Sequence, residues 1–160
     1  MPRTPPPAKF YDGQNYTPEQ SVGYLLKRVL LSIVYQADKR LGTHDLTSAQ
    51  WGPMMSLRMR GTATVAELAR WAQIDAGAMT RLLDRLEKKG LCKRVRSTED
   101  RRVVMVQLTP EGEAAMEHVP EVLADVMNMH LSGFSKAEFT ALKDLLSRMV
   151  ETGDALRDSG

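Results

Sequence analysis

The hydrophobic spacing of this chain changes period in one place, and that place limits the folds open to it. Helical spacing runs up to Lys89. From Leu91 to Val95, and again from Val103 through Met105 to Leu108, the apolar residues are spaced as in short strands, with the polar stretch 96–102 between them. Helical spacing resumes at Thr109. A single β-hairpin embedded in a helical chain excludes both an all-helical bundle and an alternating α/β sheet. A chain of 160 residues can bury about 70% of its unfolded surface. Its 42% hydrophobic and 26% charged residues are those of a soluble globular protein.

The helix starts are written in capping chemistry. Thr17-Pro18-Glu19-Gln20 sets a threonine before a proline at the first helical position, with glutamine three residues on. Thr47-Ser48-Ala49-Gln50, Thr64-Val65-Ala66-Glu67 and Ser135-Lys136-Ala137-Glu138 have the same spacing, Thr109-Pro110-Glu111 opens another helix, and Asp75 caps a sixth. Gly42, Gly61 and Gly90 stand where helices stop, and Pro120 predicts a kink or break in the helix from Thr109. The order is three helices from Thr17, Thr47 and Thr64, a fourth over residues 75–89, the hairpin, and two more helices. Residues 1–16 hold four of the eight prolines, together with Phe10, Tyr11 and Tyr16. They read as a flexible arm whose aromatics pack on something else, ahead of a single domain over 17–160.

Net charge is only +2, but it is unevenly placed. Residues 80–102 carry nine basic side chains against four acidic ones, a local +5; the other 13 basic and 16 acidic residues leave −3. Such a block fits either a polyanion or a solvated helix face with a charged hairpin tip. Residues 64–89 favour the first reading. A short helix over 64–71, a connection over 72–75 and a longer helix have the length and spacing of a helix-turn-helix. Ala66, Leu68 and Ala69 of the first helix, and Met79, Leu82, Leu83 and Leu86 of the second, are the predicted core. That leaves Ala76, Gly77, Ala78, Thr80 and Arg81 to face outward, with Arg85 one turn on. Small residues let the backbone approach a groove, arginine reaches a base edge or phosphate, and the helix N-terminus favours an anion. Thr64, at the start of the shorter helix, joins the candidate DNA contacts.

The hairpin that follows, with Arg94, Arg96, Arg101 and Arg102 at its predicted tip, reads as the wing of a winged helix. Guanidinium groups suit a narrow, electronegative minor groove, and Asp100 is placed to orient a neighbouring arginine.

Here the sequence resembles a known family. Residues 80–91 (Thr80-Arg81-Leu82-Leu83-Asp84-Arg85-Leu86-Glu87-Lys88-Lys89-Gly90-Leu91), then Asp100-Arg101-Arg102 and Leu108-Thr109-Pro110-Glu111-Gly112, are similar to the MarR family of bacterial transcriptional regulators. Leu46-Thr47 and Gln50-Trp51 fit as well, so the likeness covers about residues 20–150. The resemblance implies a mainly α winged helix-turn-helix over 46–109, with dimerisation helices over 17–45 and 110–155. It implies a homodimer that binds double-stranded DNA at an inverted-repeat operator, with the helix from Asp75 in the major groove and Arg102 in the minor groove. It also implies a repressor released by a small aromatic or phenolic effector; Tyr11 to Tyr16 followed by an Arg28-bearing helix is similar to aromatic-acid-responsive members. The residues agree on the dimer: the apolar stripes Val22, Leu25, Leu26, Val29, Leu30, Ile33 and Leu142, Leu145, Leu146, Met149 exceed what one small domain needs.

The effector candidates each keep a plainer reading. Arg28 holds a carboxylate or pairs with an acid; Trp51 stacks on a ring or fills the core; His44 donates a hydrogen bond or is solvated. Met54 and Met55 line an adaptable pocket or are core. Cys92, the one cysteine, is a buried structural thiol or a redox switch. The peroxide-sensing members carry a cysteine near the N-terminus, where this chain has none. Three scattered histidines and one cysteine leave no metal set, and no cofactor motif is present. Nor is there a Ser/His/Asp order, a carboxylate pair or a Gly-rich phosphate loop, so no enzyme is expected. No apolar run reaches the roughly 20 residues of a membrane span, which predicts a cytoplasmic protein. A winged helix used only for protein interaction is the rival reading; the basic helix and wing argue against it.

Overall fold

The structure, a computed structural model, describes residues 8–42 and 46–158. A 3-10 turn (Pro18–Gln20) precedes α1 (Val22–Leu41) and α2 (Ser48–Arg60). Next come β1 (Thr62–Ala63), α3 (Val65–Ala72), α4 (Ala76–Lys88), β2 (Cys92–Arg96) and β3 (Val104–Leu108). The chain closes with α5 (Pro110–Ala115), α6 (Val119–His130) and α7 (Lys136–Asp158). The fold is mainly helical with a β-hairpin, as the sequence predicts. Strands β2 and β3 pair antiparallel with Cys92 opposite Leu108 and Arg96 opposite Val104. The two-residue β1 adds a third strand on the far side of β3, Thr62 facing Gln107.

Most caps form as read. The Thr64 hydroxyl accepts the Glu67 N–H (3.2 Å), and the Glu67 carboxylate accepts the Thr64 N–H (2.8 Å). The Thr64 N–H and the Thr64 hydroxyl (2.9 Å), both donating to that carboxylate, hold the Glu67 carboxyl below its ordinary pKa. Asp75 accepts from the Ala78 N–H at 2.8 Å, and Ser135 and Glu138 close a reciprocal pair of bonds, at 3.2 and 2.8 Å. The first helix departs from expectation. Thr17 opens only the 3-10 turn, and α1 begins at Val22, where the Ser21 hydroxyl accepts the Tyr24 N–H at 3.1 Å. Tyr11 adds a cap from the arm, its hydroxyl accepting the Val22 N–H at 2.9 Å. The helix from Thr109 breaks after Ala115 and restarts at Val119, with Pro120 tolerated in the new first turn, where its missing N–H costs nothing.

Two compact units divide the described chain. The larger, Leu30–Met127, holds a continuous apolar core that includes Leu41, Met54, Leu57, Leu68, Met79, Leu83, Leu86 and Val106, all at most 1% exposed. Its α5 is bolted to the start of β2. The Thr109 hydroxyl accepts the Gly112 N–H (3.0 Å) and donates to the Gly90 carbonyl (2.6 Å), and the Thr109 N–H donates to the Leu91 carbonyl (3.2 Å).

The other unit joins the described residues up to Val29 with those from Asn128 onward. Ser21 is the one buried residue among the described positions of this unit. Val22, Leu25 and Val29 of α1, with Leu145, Met149 and Leu156 of α7, are each 43–62% exposed. They line an apolar groove of about 1100 Å³.

Candidate nucleic-acid interface

Helices α3 and α4 meet across residues 73–75, the expected helix-turn-helix connection. Gln73 takes the left-handed conformation there (φ 54°), and the Ile74 N–H bonds back to the Ala69 carbonyl at 3.0 Å. These bonds satisfy the last carbonyls of α3 and swing the chain into α4. On α3, Leu68 and Ala69 are buried while Ala66, read from the sequence as core, is exposed; Val65 packs against the core instead. On α4 the predicted inner face is the observed one, with Met79, Leu82, Leu83 and Leu86 at 5% exposure or less.

The opposite face of α4 carries the candidate contacts. Ala76, Gly77, Thr80, Arg81 and Arg85 are exposed, and Ala78 is half-buried. Thr80 turns its hydroxyl back onto the Ala76 carbonyl (2.8 Å). Arg81 folds toward Gly77, with Nη1 3.5 Å from where a Cβ on that glycine would stand. Neither Arg81 nor Arg85 forms an ion pair among the described residues. Thr64 is half-buried, its hydroxyl engaged in the α3 cap.

The wing tip is organised by its own side chains. Asp100 accepts the Arg102 N–H (2.9 Å) and both Nε and Nη2 of the same residue (3.2 Å each). The guanidinium holds the Asp100 carboxyl below the ordinary carboxylate range. The Arg102 side chain is nevertheless 91% exposed, so its head, paired with Asp100, stays open to solvent. Arg96 donates to the Arg101 carbonyl at 2.9 Å, and Ser97 accepts from the Glu99 and Asp100 N–H groups. Of the predicted tip arginines, Arg94 and Arg96 belong to β2, Arg96 as its last residue next to the turn. Arg94 lies within β2, where its guanidinium donates to Glu87 and to Asp84 of α4. Two carboxylates thus already hold its charge.

The effector candidates separate. Met54 is fully buried in the core, whereas Met55 and Trp51 are half-buried against that core. The Trp51 indole Nε1 is buried and meets no acceptor among the described residues. Arg28 is exposed on α1, its head 5.9 Å from the centre of the Tyr24 ring. His44 lies outside the described residues.

Cys92 is buried, its Sγ 3.8 Å from the Leu83 carbonyl. Burial, and secondarily the Glu87 carboxylate, push the thiol pKa up to about 11. Thiolate is then roughly one part in ten thousand at pH 7, against a few per cent for a free cysteine. Folded protein is therefore expected to react with iodoacetamide at pH 7.5 far more slowly than urea-unfolded protein; equal rates would show an accessible thiolate.

Among the described residues no helix is long and apolar enough to cross a membrane. Comparison with known proteins agrees with the geometry. A model of the MarR family matches residues 46–104. The chain is 31% identical over 130 residues to the multiple antibiotic resistance protein MarR of Salmonella typhimurium, spanning 78% of this chain and 90% of that protein. A mutant MarR from E. coli, crystallised with operator DNA, superposes with a TM-score of 0.75 at 30% identity, covering 80% of this chain and 92% of that one. Bordetella bronchiseptica BpsR, whose DNA binding is described as regulated by 6-hydroxynicotinic acid, gives 0.76 at 27% identity, covering 84% and 96%.

Proposed function

Because the chain belongs to the MarR family of DNA-binding transcriptional regulators, we propose that it is a cytoplasmic homodimeric repressor of an inverted-repeat operator, released by a small aromatic or phenolic acid. The observation that carries the DNA half of this reading is Arg102, paired with Asp100 yet 91% exposed, in the same unit as Arg81 and Arg85 of α4, which form no ion pair among the described residues. A preorganised guanidinium loses little entropy on entering a minor groove, where the potential is most negative. Arg81 and Arg85 then serve base edges and phosphates in the major groove, and Arg96 and Arg101 the backbone beside the wing.

The dimer rests on the unit of terminal segments. Among its described residues this unit buries only Ser21 and leaves an apolar groove open, so it shows no core of its own there, and a twofold partner supplies one. Two recognition helices related by that axis call for half-sites about one DNA turn, roughly 34 Å, apart.

The effector half rests on Trp51. A buried indole N–H without an acceptor costs about 1–3 kcal/mol, and a ligand carboxylate or carbonyl removes that cost. Arg28, exposed on α1, is a second candidate for a carboxylate. Burial of the Cys92 thiol, which raises its pKa to about 11, weighs against the redox alternative.

A gel-shift titration on the DNA upstream of the protein's own gene, with a panel of benzoates, hydroxycinnamates and pyridine carboxylates, tests the reading. Specific binding relieved by one acid supports it; binding relieved by none removes the effector half. Replacing Arg102 with alanine is expected to weaken specific binding by about 1–3 kcal/mol. Unchanged affinity would remove the wing from recognition.

A further inference from the structure

We propose that Arg94 is a positioning residue, the middle of a strut that fixes the wing tip relative to the reading helix. The proposal rests on the DNA-binding role of α4 and the wing, but its geometry stands by itself. Side chains alternate along a strand, so Cys92, Arg94 and Arg96 of β2 share one face. Cys92 and Arg94 tie the strand to α4, and Arg96 ties it to the tip. Cys92 packs beneath α4, its Sγ 3.8 Å from the Leu83 carbonyl. Arg94 is held to α4 three times: its N–H donates to Glu87 (3.0 Å), Nη1 to the other oxygen of the same carboxylate, and Nη2 to Asp84 (2.7 Å). Arg96 reaches forward to the carbonyl of Arg101, one residue from the groove-facing Arg102.

Asp84 and Glu87 stand three residues apart on α4, on neighbouring turns, and Arg94 spans both with its planar fork. Lysine, a single point charge, does not fill that role. The link matters because β2 leaves α4 through Gly90, whose positive φ of 73° marks a sharp corner. Below Arg94 the corner is tied by Thr109; beyond it the hairpin projects toward the tip. Without the fork, the outer wing keeps its own strand pairing and the hydrogen bonds of its tip.

A direct phosphate contact by Arg94 predicts the opposite sign for one variant. Removing both carboxylates with Asp84→Ala and Glu87→Ala frees the guanidinium and deletes two negative charges beside the DNA, so a direct contact tightens binding. A strut loosens it. The expected result is a loss of about tenfold in specific affinity for Arg94→Gln and for the Asp84→Ala/Glu87→Ala variant. In an Arg102→Ala background each is expected to cost less than about twofold, because the effect passes through the wing tip. Tighter binding by the carboxylate-free variant, or a full tenfold loss from Arg94→Gln without Arg102, overturns the proposal.

A second readout needs no DNA and so separates this proposal from the DNA-binding reading. Spin labels at Ala66→Cys and Thr98→Cys, in protein diluted with unlabelled chains, report one distance from α3 to the wing tip. Arg94→Gln is expected to broaden or shift that distribution, with helical circular dichroism unchanged. An unaltered distribution overturns the strut whatever the protein binds.

Discussion

Replacing Gly112 with alanine is expected to destabilise the protein by about 3 kcal/mol or more, the upper end for inserting one methyl group into a packed site. An ideal Cβ at that position would stand 1.9 Å from the Leu91 carbonyl oxygen and 2.9 Å from its carbon. Both are backbone atoms. They are held by the Thr109 N–H on Leu91 and the Thr109 hydroxyl on Gly90, so relief requires breaking the bolt between α5 and the base of the wing. Gly112 has an ordinary helical backbone, so the constraint is space rather than dihedral freedom. Denaturant midpoints at constant slope measure the effect. A loss under about 1 kcal/mol would mean that α5 slides away from the wing without cost.

The second large effect concerns assembly. Leu145→Glu places a charge on the apolar groove, where the single chain leaves Leu145 55% exposed. The larger unit keeps its core, so its helical signal is expected to persist, while a carboxylate on each side of a twofold contact opposes association. Losing the second reading head is expected to lower operator affinity by about 10²–10⁴-fold, the usual gain from linking two weak sites. Sedimentation and a binding titration on the same samples check this. A variant that stays dimeric with native affinity would move the dimer contact elsewhere.

Much of this architecture is legible in the sequence because it is local. Thr64 with Glu67, Asp75 and Ser135 with Glu138 satisfy backbone groups within one turn, and the inner face of α4 follows from spacing alone. What escaped reading depends on contacts between distant residues. β1 is two residues long and exists only because β3 offers it an edge. Tyr11 caps α1 from eleven residues away, in a role no local pattern shows. Arg94 looked like a tip arginine because arginines cluster there. That two carboxylates on the preceding helix would face it emerges only once the chain has turned at Gly90. The interface separates in the same way. The Asp100–Arg102 pairing was readable because its members are two residues apart. The Trp51 N–H was not, since lacking an acceptor is a property of the folded surroundings.

The central claim is that α4 and the wing, duplicated in a dimer, read a specific duplex. Selecting bound duplexes from a random library with the purified protein, at salt where non-specific binding is weak, tests this most directly. The account predicts enrichment of one inverted repeat with half-site centres about 10 base pairs apart, lost with Leu145→Glu and weakened with Arg102→Ala. A library that stays random through successive rounds, with the protein folded and dimeric, would contradict it.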